Sequence, residues 1–350
     1  MVESSITQKS RDRFLGLKRK KEDKNSLIKG ILDGCRVSLG KAITVIESNK
    51  LSDIKLASEV IDECIKYSGN SLRIGITGVP GVGKSTFIES FGMHLIQKKL
   101  KVAVLSVDPS SGITGGSILG DKTRMEKLSG SDNAFIRPSP SAGSLGGVNR
   151  RTRETIYLCE AAGYDVIIIE TVGVGQSETL VHSMTDFFLL LELAGAGDEL
   201  QGIKKGIMEM ADGIAITKAD GDNIHRAKLA KSEKEIALHL SRNRCNWWNV
   251  PVYLTSAVTG SGISDVYSMI ENYIKIIKRN GVFEEKRNRQ LLSWFDSLLL
   301  ERLEYNFRVN REVGTRKKEL EDSIINGNIS PIAAQDELIE LFRKSEANNE

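Results

Sequence analysis

The pattern of hydrophobic and polar positions divides the chain into three zones. Residues 26–67 carry apolar positions at helical spacing, which predicts a few helices packed onto the zone that follows. From about residue 72 to residue 278, short β-branched runs alternate with amphipathic stretches, whereas a leucine-rich helical stripe begins after residue 282. Such alternation is typical of a mainly parallel sheet with helices on both faces, so the predicted fold class is α/β.

We predict six strands in the middle zone and divide the chain into four segments. The strands are short runs rich in Val, Ile and Leu, at 73–77, 102–107, 165–170, 186–191, 213–217 and 252–255. The segments are a flexible tail at 1–25, an N-terminal helical extension at 26–70, the α/β domain at 71–280 and a C-terminal helical arm at 281–350. Within the arm, we expect a turn at Asn326-Gly327 and a last helix after Pro331.

The composition narrows the classes of partner and compartment. Lys and Arg number 49 against 46 Asp and Glu, so a net charge of +3 gives no reason to expect nucleic acid as a partner. The four cysteines are scattered without a C-x-x-C pair, which favours a reducing, cytoplasmic compartment. The longest apolar runs are far shorter than the roughly 20 residues that cross a bilayer, so no membrane span is expected. The 32 glycines indicate a backbone that approaches ligands closely at several loops.

The strongest chemical signal is a glycine-rich loop between the first predicted strand and a helical pattern. The loop satisfies G-x-x-x-x-G-K-[ST], and its residues are Gly78, Val79, Pro80, Gly81, Val82, Gly83, Lys84, Ser85 and Thr86. The glycines let backbone N–H groups turn inward around a β-phosphate, Lys84 can reach the β- and γ-phosphates, and Ser85 can offer its hydroxyl to Mg²⁺. The sequence therefore predicts a nucleoside triphosphate site.

A buried acid follows on a later strand. Glu170 ends the apolar run at 165–170, and a glycine turn with Gly173 comes next. A carboxylate at the carboxyl end of such a strand can hold the water shell of Mg²⁺, and the N–H of a glycine there can approach a γ-phosphate. We therefore expect Glu170 to belong to the same site.

The next two strands suggest guanine as the base. Thr217-Lys218-Ala219-Asp220 resembles the N-K-x-D element of GTPases, in which the Asp carboxylate accepts from guanine N–H groups and the Lys stem covers the face of the base. Thr217 stands where that element has Asn, and we expect its hydroxyl to brace the phosphate loop less strongly. Ser256 and Ala257 resemble a further GTPase loop, whose backbone approaches the oxygen of the base.

Further segments, in unbroken order, make the resemblance specific. They include Asp108-Pro109-Ser110-Ser111, Gly120-Asp121-Lys122-Thr123-Arg124, the glycine-rich stretch at 143–147, the run from Glu170 to Glu178, and the run from Gly195 to Gly206. Together with the phosphate loop, these segments look like the MeaB/ArgK family of GTPases. That family comprises the G-protein chaperones of adenosylcobalamin-dependent acyl-CoA mutases.

The resemblance implies roles for individual residues and for the arm. Asp108 and Asp121 match family acids around Mg²⁺ and the first switch, so the implied metal set is Ser85, Asp108, Asp121 and Glu170. Residues 170–178 match a second switch, and residues 195–204 match a third switch that communicates with the mutase. The implied catalytic set is Lys84, Asp108, Glu170, Gln176 and Lys204, and the C-terminal helices are similar in kind to the family's dimerisation arm.

The resulting expectation is a homodimeric, Mg²⁺-dependent GTPase that binds GTP and GDP. It would serve an adenosylcobalamin-dependent acyl-CoA mutase of the methylmalonyl-CoA mutase type, by gating cofactor loading or by protecting the mutase from inactivation. The alternative is a P-loop kinase or ATPase, in keeping with the family's older label as a transport-system kinase. The sequence leaves open whether Trp247 and Trp248 form an exposed contact or anchor a loop.

Overall fold

The computed structural model describes residues 23–48, 50–107, 125–138, 145–171, 177–195, 201–240 and 247–347. For residues 51, 145–149 and 201–205 it describes the backbone alone. The described chain separates into two compact units, which end and begin between Arg287 and Asn288. The four-segment organisation derived from the sequence stays a proposal. No helix in these ranges is long and apolar enough to cross a membrane.

The first unit is built on a seven-stranded sheet in which all neighbouring strands are parallel, in the order β3-β2-β4-β1-β5-β6-β7. The strands are β1 Leu72–Gly78, β2 Val102–Val107, β3 Ala134–Arg137, β4 Val166–Thr171, β5 Phe187–Leu193, β6 Gly213–Thr217 and β7 Val252–Leu254. The α/β fold class is confirmed, and the six predicted strands are found within two residues of their predicted ends. β3, a four-residue edge strand that ends directly before Pro138, was not predicted from the sequence.

Helices are found in the two regions where the sequence predicts them, at 26–67 and after residue 282, and also between the strands of the middle zone. In the first unit they are α1 Lys24–Leu32, α2 Arg36–Glu47, α3 Leu51–Cys64, α4 Lys84–Gln97, α5 Glu126–Ser129, α6 Leu145–Ala161, α7 Ser177–His182, α8 Gln201–Met210, α9 Ile224–Leu240 and α10 Ile263–Arg279. Helix α11, Val282–Val309, begins in the first unit and continues into the second, which also holds α12 Arg311–Ile325 and α13 Pro331–Ala347.

The core lies on both faces of the sheet, because parallel strands covered by helices bury alternate side chains on opposite sides. Val102 and Val104 face a cluster that includes Phe87 and Phe91 of α4. The intervening Ala103 and Leu105 face a second cluster, to which α1, α2, α3, α6 and α7 contribute. The N-terminal helices therefore share the core of the sheet, and α4 begins at the carboxyl end of β1 and packs on the opposite face.

The second unit has a small core of its own. Val313 and Leu320 of α12 and Ala334 of α13 are buried, and the rings of Phe307 and Phe342 lie 5.3 Å apart. The side chain of Asn310 caps α12 by accepting from two backbone N–H groups at 3.1 Å.

Candidate functional site

The loop between β1 and α4 has the backbone that a phosphate loop needs. Gly81 and Gly83 have φ angles of 81° and 95°, in the left-handed region that L-residues with a side chain rarely adopt. Gly83 is also the N-cap of α4, so the loop leads directly into the N-terminus of that helix. Ser85 and Thr86 follow in its first turn. Free N–H groups at such a helix start favour an anion.

Lys84 places a positive charge within this loop. Its side chain is buried, and Nζ donates to the carbonyl oxygens of Gly78 at 2.7 Å and Val79 at 3.3 Å. Burial lowers the pKa of Lys84, while the negative charges of Glu170 and Glu178 oppose that shift. The loop therefore holds a buried ammonium group on which two carboxylates act electrostatically.

The carboxyl ends of β1, β2 and β4 bring oxygen atoms together beside the loop. Glu170, in β4, is 8% exposed, and Ser106 of β2 is its register partner, so both side chains point to the same face of the sheet. The hydroxyl of Ser106 is buried and has no hydrogen-bond partner within the described ranges. Thr77 and Thr171 join the ends of β1 and β4 through their hydroxyls at 2.8 Å.

The guanine-type element is joined to the phosphate loop. The hydroxyl of Thr217 is within hydrogen-bond distance of two carbonyl oxygens, that of Val82 at 2.7 Å and that of Glu192 at 3.2 Å. Lys218 has a φ angle of 55°, and its Nζ donates to the carbonyl oxygen of Gly81 at 3.0 Å. Thr217 therefore braces the loop despite replacing Asn, and Lys218 adds a second link.

Asp220 and Ser256 meet at the carboxyl ends of β6 and β7. The Ser256 hydroxyl donates to the Asp220 carboxylate, and the N–H of Ala219 donates to Thr255 at 3.0 Å. Ala257 follows, partly exposed. The structure thus brings all the residues of the two guanine-type segments to one edge of the sheet, next to the phosphate loop.

Other predicted residues lie outside what the structure describes. Asp108, Asp121 and Gln176 fall outside the described ranges, and Lys204 is described only by its backbone in α8. Conversely, Ser106 and Glu178 were not predicted as site residues from the sequence. Glu178 stands eight residues after Glu170, at the end of the second switch-like run, and that position was the available signal.

Trp248 is a loop anchor. Its Nε1 donates to the carbonyl oxygen of Asp212 at 2.8 Å, and its ring centroid lies 4.9 Å from that of Tyr273 in an edge-on arrangement. Trp247 is partly buried and packs against the same core cluster. The question that the sequence left open is therefore answered, because both side chains hold the segment before β7 against the sheet.

Replacing Thr217 by Val should weaken guanine-nucleotide binding by about tenfold, since a net hydrogen-bond contribution is typically about 1–1.5 kcal/mol. Valine keeps the shape of threonine but leaves the Val82 and Glu192 carbonyls without this donor. The measurement is titration with a fluorescent GDP analogue. Thr217→Asn, which restores a donor, should bind close to wild type. Equal affinities for wild type and Thr217→Val would show that the brace is unimportant.

Known proteins that are similar in sequence to this chain are named as GTPases, in agreement with a nucleotide site built from a phosphate loop and a guanine-type element. The family described as "Methylmalonyl Co-A mutase-associated GTPase MeaB" matches residues 39–312. A protein of Mycobacterium tuberculosis named "Probable GTPase" is 46% identical over 317 residues, which cover 91% of this chain and 94% of that protein. The mouse protein named "Methylmalonic aciduria type A homolog, mitochondrial" is 42% identical over 327 residues, covering 91% of this chain and 79% of that protein.

A solved structure extends the likeness to the fold. The crystal structure of an "LAO/AO transport system kinase" has a TM-score of 0.71 and 36% sequence identity, and covers 91% of this chain and 97% of that one. The family match covers residues 39–312, and the likeness in fold covers 91% of the chain. This chain therefore belongs to the MeaB family of methylmalonyl-CoA mutase-associated GTPases and is itself a guanine-nucleotide-binding GTPase.

Proposed function

We propose that this GTPase is a chaperone for an adenosylcobalamin-dependent acyl-CoA mutase of the methylmalonyl-CoA mutase type. It would gate loading of the cofactor or protect the mutase from inactivation. The observation that carries the proposal is the family match over residues 39–312, whose description names association with that mutase. The name of the mouse relative, which refers to methylmalonic aciduria, is a second support.

The nucleotide would lie across the carboxyl edge of the sheet. We assign the phosphates to Gly78–Thr86 and the base to Thr217, Lys218, Asp220, Ser256 and Ala257. The support is the link between the two groups: Thr217 and Lys218 both donate to carbonyls of the phosphate loop. Because the Ser256 hydroxyl donates to Asp220, it fixes the carboxylate that would accept from guanine.

A magnesium ion fits the oxygen atoms at this edge. Ser85 is the hydroxyl of the loop, and Glu170 is a buried carboxylate beside the buried Ser106 hydroxyl. Hard oxygen ligands, few protein groups and retained waters are what Mg²⁺ prefers when it binds with phosphates. We therefore propose Ser85 and Glu170, with Asp108 and Asp121, as the residues that hold it. When bound, the ion would neutralise charge on the β- and γ-phosphates.

Hydrolysis would depend on positioning and on charge. Lys84 would stabilise negative charge on the transferring phosphoryl group, because its ammonium is buried in a loop that excludes water. From the family resemblance we also assign Asp108, Glu170, Gln176 and Lys204 to the catalytic machinery. Lys204 belongs to the third switch-like segment, where a partner could act on the reaction.

We further propose that the protein forms a homodimer through the second unit. Helix α11 exposes apolar side chains on one face at helical spacing, including Leu292, Phe295, Leu299 and Leu303. These four side chains are 49–63% exposed, which is unusual for a contiguous stripe of apolar side chains. A second copy of the same stripe, related by twofold symmetry, would bury it.

The dimer can be tested with a charge placed in this stripe. Leu299→Glu should convert the dimer to a monomer in multi-angle light scattering, since it would bury two carboxylates at a symmetric interface. Ser297→Glu is the matched control, because Ser297 is exposed on the other side of the same helix. A wild-type protein that elutes as a monomer would contradict the proposal.

Co-purification from the native cell tests the proposed partner. Recovery of a cobalamin-dependent mutase with the tagged chain is expected, whereas recovery of none would contradict the proposed partner. Titration with GTP and with ATP distinguishes the GTPase from the kinase, because adenine lacks the N–H donors from which Asp220 would accept hydrogen bonds. Tighter binding of ATP would favour the kinase.

We place the protein in the cytoplasm, supported by the free thiols of Cys35, Cys64 and Cys159.

A further inference from the structure

Lys218 has a backbone conformation that few residues with a side chain adopt. Its φ angle of 55° lies in the left-handed region, which is disfavoured for L-residues because Cβ comes close to the following carbonyl oxygen. Within the described ranges, Lys99 is the one other residue with a side chain that has a positive φ angle. Lys218 is exposed, so burial in a core does not impose this conformation on it. A strained residue of this kind persists when its surroundings hold it in place.

Asn223 supplies a contact that holds Lys218. Its side-chain amide donates to the carbonyl oxygen of Lys218 at 2.8 Å. Because a carbonyl oxygen can only accept, the NH₂ group of the amide must face it. The backbone N–H of Asn223 donates to the carbonyl oxygen of Asp220 at 3.0 Å, within the short 3₁₀ helix that ends at Asn223. Asn223 therefore fixes the guanine-type segment at two points.

The conformation of Lys218 determines where the functional groups of this segment lie. Lys218 Nζ reaches the carbonyl oxygen of Gly81 in the phosphate loop, and the Asp220 carboxylate accepts from the hydroxyl of Ser256. Rotation of Lys218 to a negative φ angle would turn its side chain and the backbone that follows it. Both links join segments that are distant in the sequence, so such a rotation would separate these groups from their partners.

We propose that Asn223 is a positioning residue for recognition of the guanine base. Its amide holds Lys218 in the left-handed conformation, and so directs the Lys218 stem and the Asp220 carboxylate at the base. Asn223 lies outside the N-K-x-D-like element, which ends at Asp220. Without this amide the segment spends part of its time in conformations that do not bind guanine, and the apparent affinity falls with the fraction that is lost. The inference rests on the proposed base site and is independent of the proposed mutase partner.

The first experiment removes the amide. Asn223→Ala should weaken binding about fivefold in a titration with a fluorescent GDP analogue, as expected for the loss of one hydrogen bond that selects the binding conformation. Asp222→Ala is the matched control, because Asp222 is an exposed residue of the same 3₁₀ helix. That variant should bind GDP as the wild type does, and circular dichroism checks that both variants are folded. An unchanged affinity in Asn223→Ala would overturn the proposal.

The second experiment separates an effect on the φ angle of Lys218 from an effect on packing. Lys218→Gly and Lys218→Ala both remove the Lys stem, but glycine adopts a positive φ angle about as readily as a negative one, whereas alanine rarely adopts it. Adding Asn223→Ala should therefore cost about fivefold in the Lys218→Ala background and less than about twofold in the Lys218→Gly background. Equal losses in the two backgrounds would overturn the proposal, because Asn223 would then act on the start of α9 and not on Lys218.

Asp220→Ala tests the proposed base site itself. Its affinity for GDP should fall and its preference for GTP over ATP should be lost, because the acceptor for the guanine N–H groups is removed. Wild-type affinity and preference in Asp220→Ala would overturn the base site, and the role of Asn223 with it. Weakened binding in Asp220→Ala beside wild-type binding in Asn223→Ala would leave the base site in place and overturn the role of Asn223 alone.

Discussion

Replacement of Lys84 by alanine is expected to lower the rate of GTP hydrolysis by about 10²–10³-fold, the loss typical of removing one preorganised charge donor from an active site. The wild-type ammonium is held among loop carbonyls at 2.7 and 3.3 Å. It is therefore positioned before the substrate arrives, and no other described side chain donates to both carbonyls. Nucleotide affinity should fall too, because the charge also favours the phosphates in the ground state.

Single-turnover hydrolysis of radiolabelled GTP measures the effect on chemistry, and circular dichroism checks that the variant is folded. Lys98→Ala is the matched control, since Lys98 follows the other end of the same helix and stacks its ammonium over the Tyr267 ring at 4.8 Å. That variant should hydrolyse GTP at the wild-type rate. If Lys84→Ala hydrolyses GTP at a rate within a few-fold of wild type, Lys84 does not contribute to catalysis.

Replacement of Asp186 by alanine is expected to lower the free energy of unfolding by about 3–5 kcal/mol, the range for breaking a buried ion pair from one side. Asp186 is fully buried before β5, and both of its oxygens accept from Arg287 at 2.6 Å. It also accepts from the N–H of Arg73 at 2.8 Å, so the variant would remove the acceptor of that N–H and of Arg287 Nε, whereas Arg287 Nη2 would still donate to the Ser71 carbonyl.

Urea titration followed by tryptophan fluorescence provides the measurement for this variant. Trp248 reports on the first unit, because its indole is bonded to the backbone of Asp212 in the same sheet. The control is Glu321→Ala, which removes an exposed partner of Lys317 and should cost about 0.5 kcal/mol or less. A loss for Asp186→Ala as small as that of the control would contradict the assignment of this pair to the stabilising core.

Much of the fold follows from the sequence because the physical signals there are local. Strands buried on both faces are continuous apolar runs, and the phosphate loop is fixed by glycines whose backbone angles exclude other residues. β3 was missed because four residues at a sheet edge carry too short a pattern, and among the described residues it pairs with β2 alone. The observed sheet is wholly parallel, where the sequence predicted a mainly parallel one.

The site was less predictable because its connections are made between distant segments. Thr217 was predicted from the sequence, but only the structure shows that its hydroxyl reaches the loop at Val82, 135 residues earlier. Glu170 was predicted as an acid at the end of an apolar run, whereas no sequence pattern selected Ser106 or Glu178. Ser106 is distinguished by a buried hydroxyl without a hydrogen-bond partner among the described residues, and Glu178 by its burial, and burial depends on the packing of α7 and of neighbouring strands.

The most direct test of the proposed function is single-turnover GTP hydrolysis with and without the purified mutase. A GTPase that serves a mutase should have its catalytic loops ordered by that partner, so hydrolysis should be slow alone and clearly faster in the complex. The rate should respond to mutase concentration until the complex is saturated. Equal rates with and without the mutase, at concentrations where the two proteins bind, would contradict the account.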